Sequence, residues 1–164
     1  MNTFKTTTFR YAMGALILGL AALQTPVKAQ ESSGGGRLAG TWDATVTARV
    51  CATGNPIISF LSTANFNQGG TFSGITSGTS PTLRTSERGV WKHLSGNSYR
   101  FRFKAYLYNA AAVAVAYQVV THNLELDKDD LNYTSAGISE TFALDGTLIG
   151  TGCSSAVGTR MVLE

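Results

Sequence analysis

The chain has 164 residues, of which 43% are hydrophobic and 14% charged. Its 13 basic and 10 acidic residues give a formal charge of +3, but Lys5, Arg10 and Lys28 all fall in residues 1–29, which hold no acid, so the remainder is neutral. That balance excludes electrostatic binding to nucleic acid or to anionic membranes, and a single-domain length with ordinary apolar content excludes a disordered chain.

Residues 1–10 carry Lys5 and Arg10, residues 11–23 are an uncharged apolar run, and Pro26, Val27 and Ala29 form a breaker and a small-residue cleavage site. This is the layout of a secretory signal peptide over residues 1–29. A membrane span needs about 20 apolar residues, so no membrane insertion is expected once the leader is cleaved. The compartment is read as secreted or periplasmic. Residues 30–39 contain Gly34-Gly35-Gly36 and little to bury, and read as a flexible lead-in to one domain over residues 40–164.

From residue 40 onward the pattern has period two. Trp42, Ala44, Val46, Ala48 and Val50 share one face of a first strand over 40–51, opposite Asp43, the threonines and Arg49. Turn residues mark the others: strands near 59–67 and 71–77 are split by Gly69-Gly70, 88–95 and 98–108 by Gly96-Asn97. The strands over 113–126 and 131–142 meet at Asp127–Asp130. Asp145-Gly146, the strongest hairpin signal and read as a tight primed turn, leads into 147–163. Residues 52–58 and 78–87 are the longer links. Eight consecutive strands with short connections predict an all-β, eight-stranded antiparallel up-and-down barrel, with a sandwich as the other arrangement.

Cys51 and Cys153 are the only cysteines. In an oxidising compartment a lone pair usually forms one disulfide, the alternative being two free thiols or a two-ligand metal site; the bond would tie the first strand to the last, which favours the closed barrel. Setting Cys51 opposite Cys153 places Trp42 opposite Val162 and Ala44 opposite Arg160. Trp42 and Arg160 are then diagonal neighbours on the inner face, where a guanidinium packs over an indole.

Gly40-Thr41-Trp42 at the start and Arg160 near the end resemble the lipocalin, or wider calycin, pattern. The resemblance implies that Trp42 closes one barrel end and that Arg160 packs across it. The chain is also similar to small secreted bacterial proteins with the same opening and a Leu148–Cys153 segment, a likeness that implies no activity. The lipocalin Thr-Asp-Tyr-type motif and the helix beside the last strand are absent from the sequence.

Extending the alternation gives the lining. It comprises Trp91 and His93, then Tyr99, Phe101 and Phe103, then Ala114, Ala116, Gln118, Val120, His122 and Leu124. The last two strands add Tyr133, Ser135, Gly137 and Ser139, and Leu148, Gly150, Gly152, Ser154, Ala156, Gly158 and Arg160. The sixth strand has a second candidate face, Val113, Val115, Tyr117, Val119 and Glu125, and the first is favoured because it leaves Glu125 and Thr121 outside. Aromatics thus gather on the middle strands and small residues on the last two. Such a barrel is either packed by its own side chains or holds one small ligand. The expected function is lumenal binding of a small apolar molecule by Trp91, His93, Tyr99, Phe101, Phe103, Gln118 and His122. The alternatives are a small cyclase- or isomerase-type enzyme and an interaction module using Tyr106, Tyr108, Ile149, Val157 and Met161. No catalytic motif, metal-ligand spacing or cofactor signature is present, so catalysis is the lesser expectation. No pattern sets an oligomeric state.

Overall fold

The structure, a computed structural model, describes residues 35–163. The expected leader over 1–29 lies outside the described residues. Eight strands follow one another: β1 (Gly40–Arg49), β2 (Pro56–Asn67), β3 (Thr71–Thr76), β4 (Glu87–Ser95), β5 (Ser98–Tyr108), β6 (Ala114–Leu126), β7 (Asn132–Ala143) and β8 (Leu148–Arg160). Each pairs antiparallel with its chain neighbour and β8 returns to β1, so the sheet closes as an up-and-down barrel. Closure leaves no free sheet edge.

The period-two pattern translates directly into facing. On β5, Tyr99, Phe101, Phe103 and Ala105 are buried while Arg100 and Arg102 are exposed. On β6, Ala116, Val120, His122 and Leu124 are buried, so the face holding His122 is the inner one. The inner faces of all eight strands meet in one core, densest at the end where β1 begins and β8 ends.

The β1–β8 seam differs from the expected register by two residues. Trp42 stands directly opposite Arg160, Ala44 opposite Gly158, and Arg49 opposite Cys153. The β1 ladder stops at Arg49, where the pairing with β2 shifts, and the chain turns with Gly54 N–H donating to the Val50 carbonyl at 2.7 Å. That turn carries Cys51 beyond the strand and back to Cys153. The disulfide still forms, with Cα atoms 5.1 Å apart. The register follows the ladder, not the sulfurs.

A second correction concerns residues 35–39. Gly35–Arg37 form one turn of 3-10 helix and Leu38 is completely buried. Arg160 fastens this segment. Its Nε donates to the Asp130 carbonyl at 2.7 Å, Nη1 donates to Ala39 at 2.8 Å, and Nη2 donates to Arg37. Arg37 in turn donates from Nε to Asp130 Oδ1 at 2.9 Å and from Nη1 to Asn97 Oδ1 at 2.8 Å. The glycine run hid an apolar residue with a socket to fill.

The Asp145-Gly146 hairpin also differs in detail. Only Gly146 takes a positive φ, of 92°, while Asp145 does not. Gly146 N–H donates to Ala143 at 3.0 Å and Ala143 N–H donates to Thr147 at 2.8 Å, the pattern of a wider loop with a glycine bulge. A neighbouring shift between Thr141 and Phe142 leaves Leu148 paired off-parity and half exposed, so Leu148 leaves the lining expected of it.

Candidate functional site: the barrel lumen

One end of the lumen is shut. Trp42 lies fully buried with Arg160 stacked over its ring, 4.2 Å from the centroid. Its Nε1 donates to the Leu38 carbonyl at 3.0 Å, and Tyr133 meets its ring edge-on at 5.1 Å. Gly158 makes this packing possible, because a Cβ there would lie 2.2 Å from the Tyr133 ring. Burial pushes the Tyr133 hydroxyl well above its ordinary pKa.

The other half of the lumen holds a cavity of about 320 Å³, at the low end of the size range for small-molecule sites. Its mouth is framed by Ile57, Thr76, Gly78 and Thr79, and its floor lies near Tyr133 and Ala64. Phe72, Phe101 and Phe103 line the β3–β5 side with rings nearly parallel, at interplanar angles of 24°, 17° and 14°. Across the barrel, β1 and β8 present Ala44, Val46, Ala48, Gly152, Ser154 and Ala156.

Besides the hydroxyls of Ser62, Thr76, Thr79 and Ser139, two polar clusters interrupt this lining. The first is His122, whose Nδ1 is 3.0 Å from Ser135 Oγ and whose Nε2 is 2.9 Å from Ser154 Oγ. One nitrogen donates and the other accepts. Burial lowers the ring's pKa to about 4, so it is neutral near pH 7. Gly137 lets β7 approach it: a Cβ there would lie 2.0 Å from the Thr121 carbonyl oxygen and 2.5 Å from the imidazole.

The second group is an ion pair that sequence reasoning missed. Arg84 Nη1 donates to Glu87 Oε1 at 2.8 Å, with both side chains more than nine-tenths buried. Arg84 Nη2 donates to Gln118 Oε1 at 3.3 Å, and the guanidinium lies 5.9 Å from the Phe103 centroid. Burial raises the Glu87 pKa despite the pull of Arg84. The segment before β4 is therefore more than a link. Leu83 and Thr85 bond Tyr108 and Tyr106 at the end of β5, which turns Arg84 inward. Glu87 was legible in principle, since it has the same parity as Trp91. Arg84 carries no such signal.

Of the residues expected to bind, Phe101, Phe103, Gln118 and His122 share the cavity. Trp91, His93 and Tyr99 sit together away from it. Trp91 Nε1 donates to the Asn67 carbonyl at 3.0 Å, His93 Nε2 bonds the Gly96 carbonyl at 2.9 Å, and Tyr99 lies fully buried between their rings and the closed end. Phe72, Arg84 and Glu87 take their places in the lining. Among the described residues, no three His, Cys, Asp or Glu side chains gather as a metal site.

No family model matches the chain, and no curated protein matches it. Among solved structures, the crystal structure of Rv2717c from M. tuberculosis is similar at 14% identity, over 77% of this chain and 94% of that one, with a TM-score of 0.38. A likeness at that level bears on neither the site nor its chemistry.

Proposed function

We propose that the chain is an extracytoplasmic, lipocalin-like barrel that binds one small apolar molecule in its lumen. The observation that carries this reading is the cavity of about 320 Å³, bounded below by the Trp42–Arg160 closure and lined by phenylalanines facing alanines and glycine. Apolar walls with a few buried polar anchors are the usual composition of such sites. The Cys51–Cys153 bond supports placement in an oxidising compartment.

The enzyme reading draws less support. A ring with a pKa of about 4, held on both sides by serine hydroxyls, is a poor proton acceptor near neutral pH, and His93 lies outside the cavity. The surface reading also weakens. Tyr106 and Ile149 are exposed near the mouth, while Val157 and Met161 are exposed toward the closed end, so these residues do not form one contiguous patch.

The test is titration with N-phenyl-1-naphthylamine, whose fluorescence rises in apolar surroundings. The expected result is a saturable rise that Val46→Phe, which fills the lumen from β1, abolishes without unfolding the barrel. A rise that survives the filled lumen, or no rise with the wild-type chain, would overturn the reading.

A further inference from the structure

We propose that the lumen selects a flat, electrically neutral aromatic molecule bearing one hydrogen-bonding head group, such as a phenolic hydroxyl, with its ring against Phe101 and Phe103 and its head at Arg84 and Glu87. This rests on the reading of the lumen as a binding site and narrows it to a class of ligand.

The shape argument comes from how the strands lie around the barrel. β5 lies across from β1, so Phe101 and Phe103, with Phe72 of β3 stacked near-parallel against them, face Ala44, Val46 and Ala48. One wall is a set of parallel, offset-stacked rings and the other is shallow. A ring lying parallel to the phenylalanines continues their stack in the offset arrangement that aromatic pairs prefer.

The charge argument comes from the ion pair. Arg84 and Glu87 are 2.8 Å apart and each is already matched by the other. A ligand carboxylate brought to Arg84 also meets Glu87, and an ammonium brought to Glu87 also meets Arg84. Either leaves three charges where two cancelled, in a place with little water to screen them. Of the other polar groups in the lining, Ser62, Gln118, Ser139 and Ser154 are neutral, and His122 adds no charge near neutral pH. Arg49 borders the mouth, but its guanidinium turns to the outer face, where it bonds Ser155 Oγ at 2.7 Å and the Gly54 carbonyl at 2.9 Å, because Ser155 alternates with the cavity-lining Ser154 and Ala156.

A neutral hydroxyl suits the pair because it can donate and accept at once. The guanidinium has more N–H donors than its bonds to Glu87 and Gln118 use. The second carboxylate oxygen, Oε2, stands over Gly74, where any Cβ would come within 2.6 Å of it. Residue 74 must therefore stay small for the carboxylate to hold this position.

The experiment is a calorimetric titration of the wild-type chain near neutral pH with matched two-ring probes. These are 2-naphthol, naphthalene, 2-naphthoate, 2-naphthylmethylamine and the saturated 2-decalol. We expect 2-naphthol to bind at least about tenfold more tightly than each of the others, a gap of about 1.4 kcal/mol. Naphthalene equal to 2-naphthol would overturn the head-group contact, and 2-decalol equal to it would overturn the aromatic slot, while both would leave lumenal binding standing. Tighter binding of either charged probe would overturn the neutrality. Binding by none would remove the lumenal reading itself. Glu87→Gln, checked for folding by circular dichroism, should move the preference to 2-naphthoate by leaving Arg84 unbalanced. An unchanged ranking in the folded variant would overturn the role of the pair.

Discussion

Acidification should destabilise this barrel through a single buried imidazole. In the folded chain the pKa of His122 falls from 6.5 to about 4, because burial removes the water that would solvate its charged form. Unfolding restores the ordinary value. Between those two values the unfolded chain binds a proton that the folded chain refuses, so stability falls as the pH falls. The contribution is fully present above about pH 6.5 and is lost progressively toward about pH 4. Integrated from about pH 8 down to about pH 4.5, the two pKa values give a loss of roughly 2.5 kcal/mol. For a domain of this length that is a fall in Tm of about 9 °C. Glu87, raised by burial, acts in the opposite sense. Protonating it favours the fold, over a window just above its unfolded value. Asp130, lowered by its bond to Arg37, loses stabilisation as the pH falls. The measurement must therefore be a difference. Urea unfolding followed by circular dichroism, for wild type and His122→Gln across this pH range, subtracts the carboxylates that both chains share. The gap between the two should shrink by roughly 2.5 kcal/mol on acidification. Parallel curves would refute the reasoning and place His122 in contact with water.

Two further outcomes follow from the seam and the closed end. Reducing the Cys51–Cys153 bond, which spans 102 residues of sequence, should cost roughly 3–5 kcal/mol by relaxing the unfolded chain, and a Tm unchanged in reductant would count against that estimate. Arg160→Met keeps the volume but removes the charge over Trp42 and the donors to three carbonyls. It should cost roughly 3 kcal/mol, and hydrogen exchange at Leu38 should rise well before that of the β5–β6 ladder. Uniform exchange changes along the whole barrel would argue against a local fastening.

The strand plan was legible because burial on one side only writes a period of two into the sequence, as with Tyr99, Phe101 and Phe103 against Arg100 and Arg102. Turn chemistry supplied most boundaries, since Gly69, Gly70, Gly96 and Gly146 all adopt positive φ. Alternation does not encode where a ladder stops, so the seam register was set two residues away from the observed one. It also cannot separate the depth of one inward residue from that of another. Trp91, His93 and Tyr99 share the parity of Phe101, yet they sit toward the packed end, and only the barrel's closure decides that. Arg84 was hidden for a different reason. It lies outside any regular strand and turns inward because Leu83 and Thr85 bond the end of β5, a tertiary contact with no local sequence mark.

Both ends of the described chain leave from the same side of the molecule. Leu38 and Arg37 are held beneath Trp42, and beyond β8 the Met161 N–H donates to the Thr41 carbonyl at 2.9 Å. The opening framed by Ile57 and Thr79 lies at the opposite pole. A handle joined directly to residue 35 or residue 163 would therefore orient the barrel with its aperture facing outward, leaving the proposed lumenal site as open to solution as in a dissolved copy.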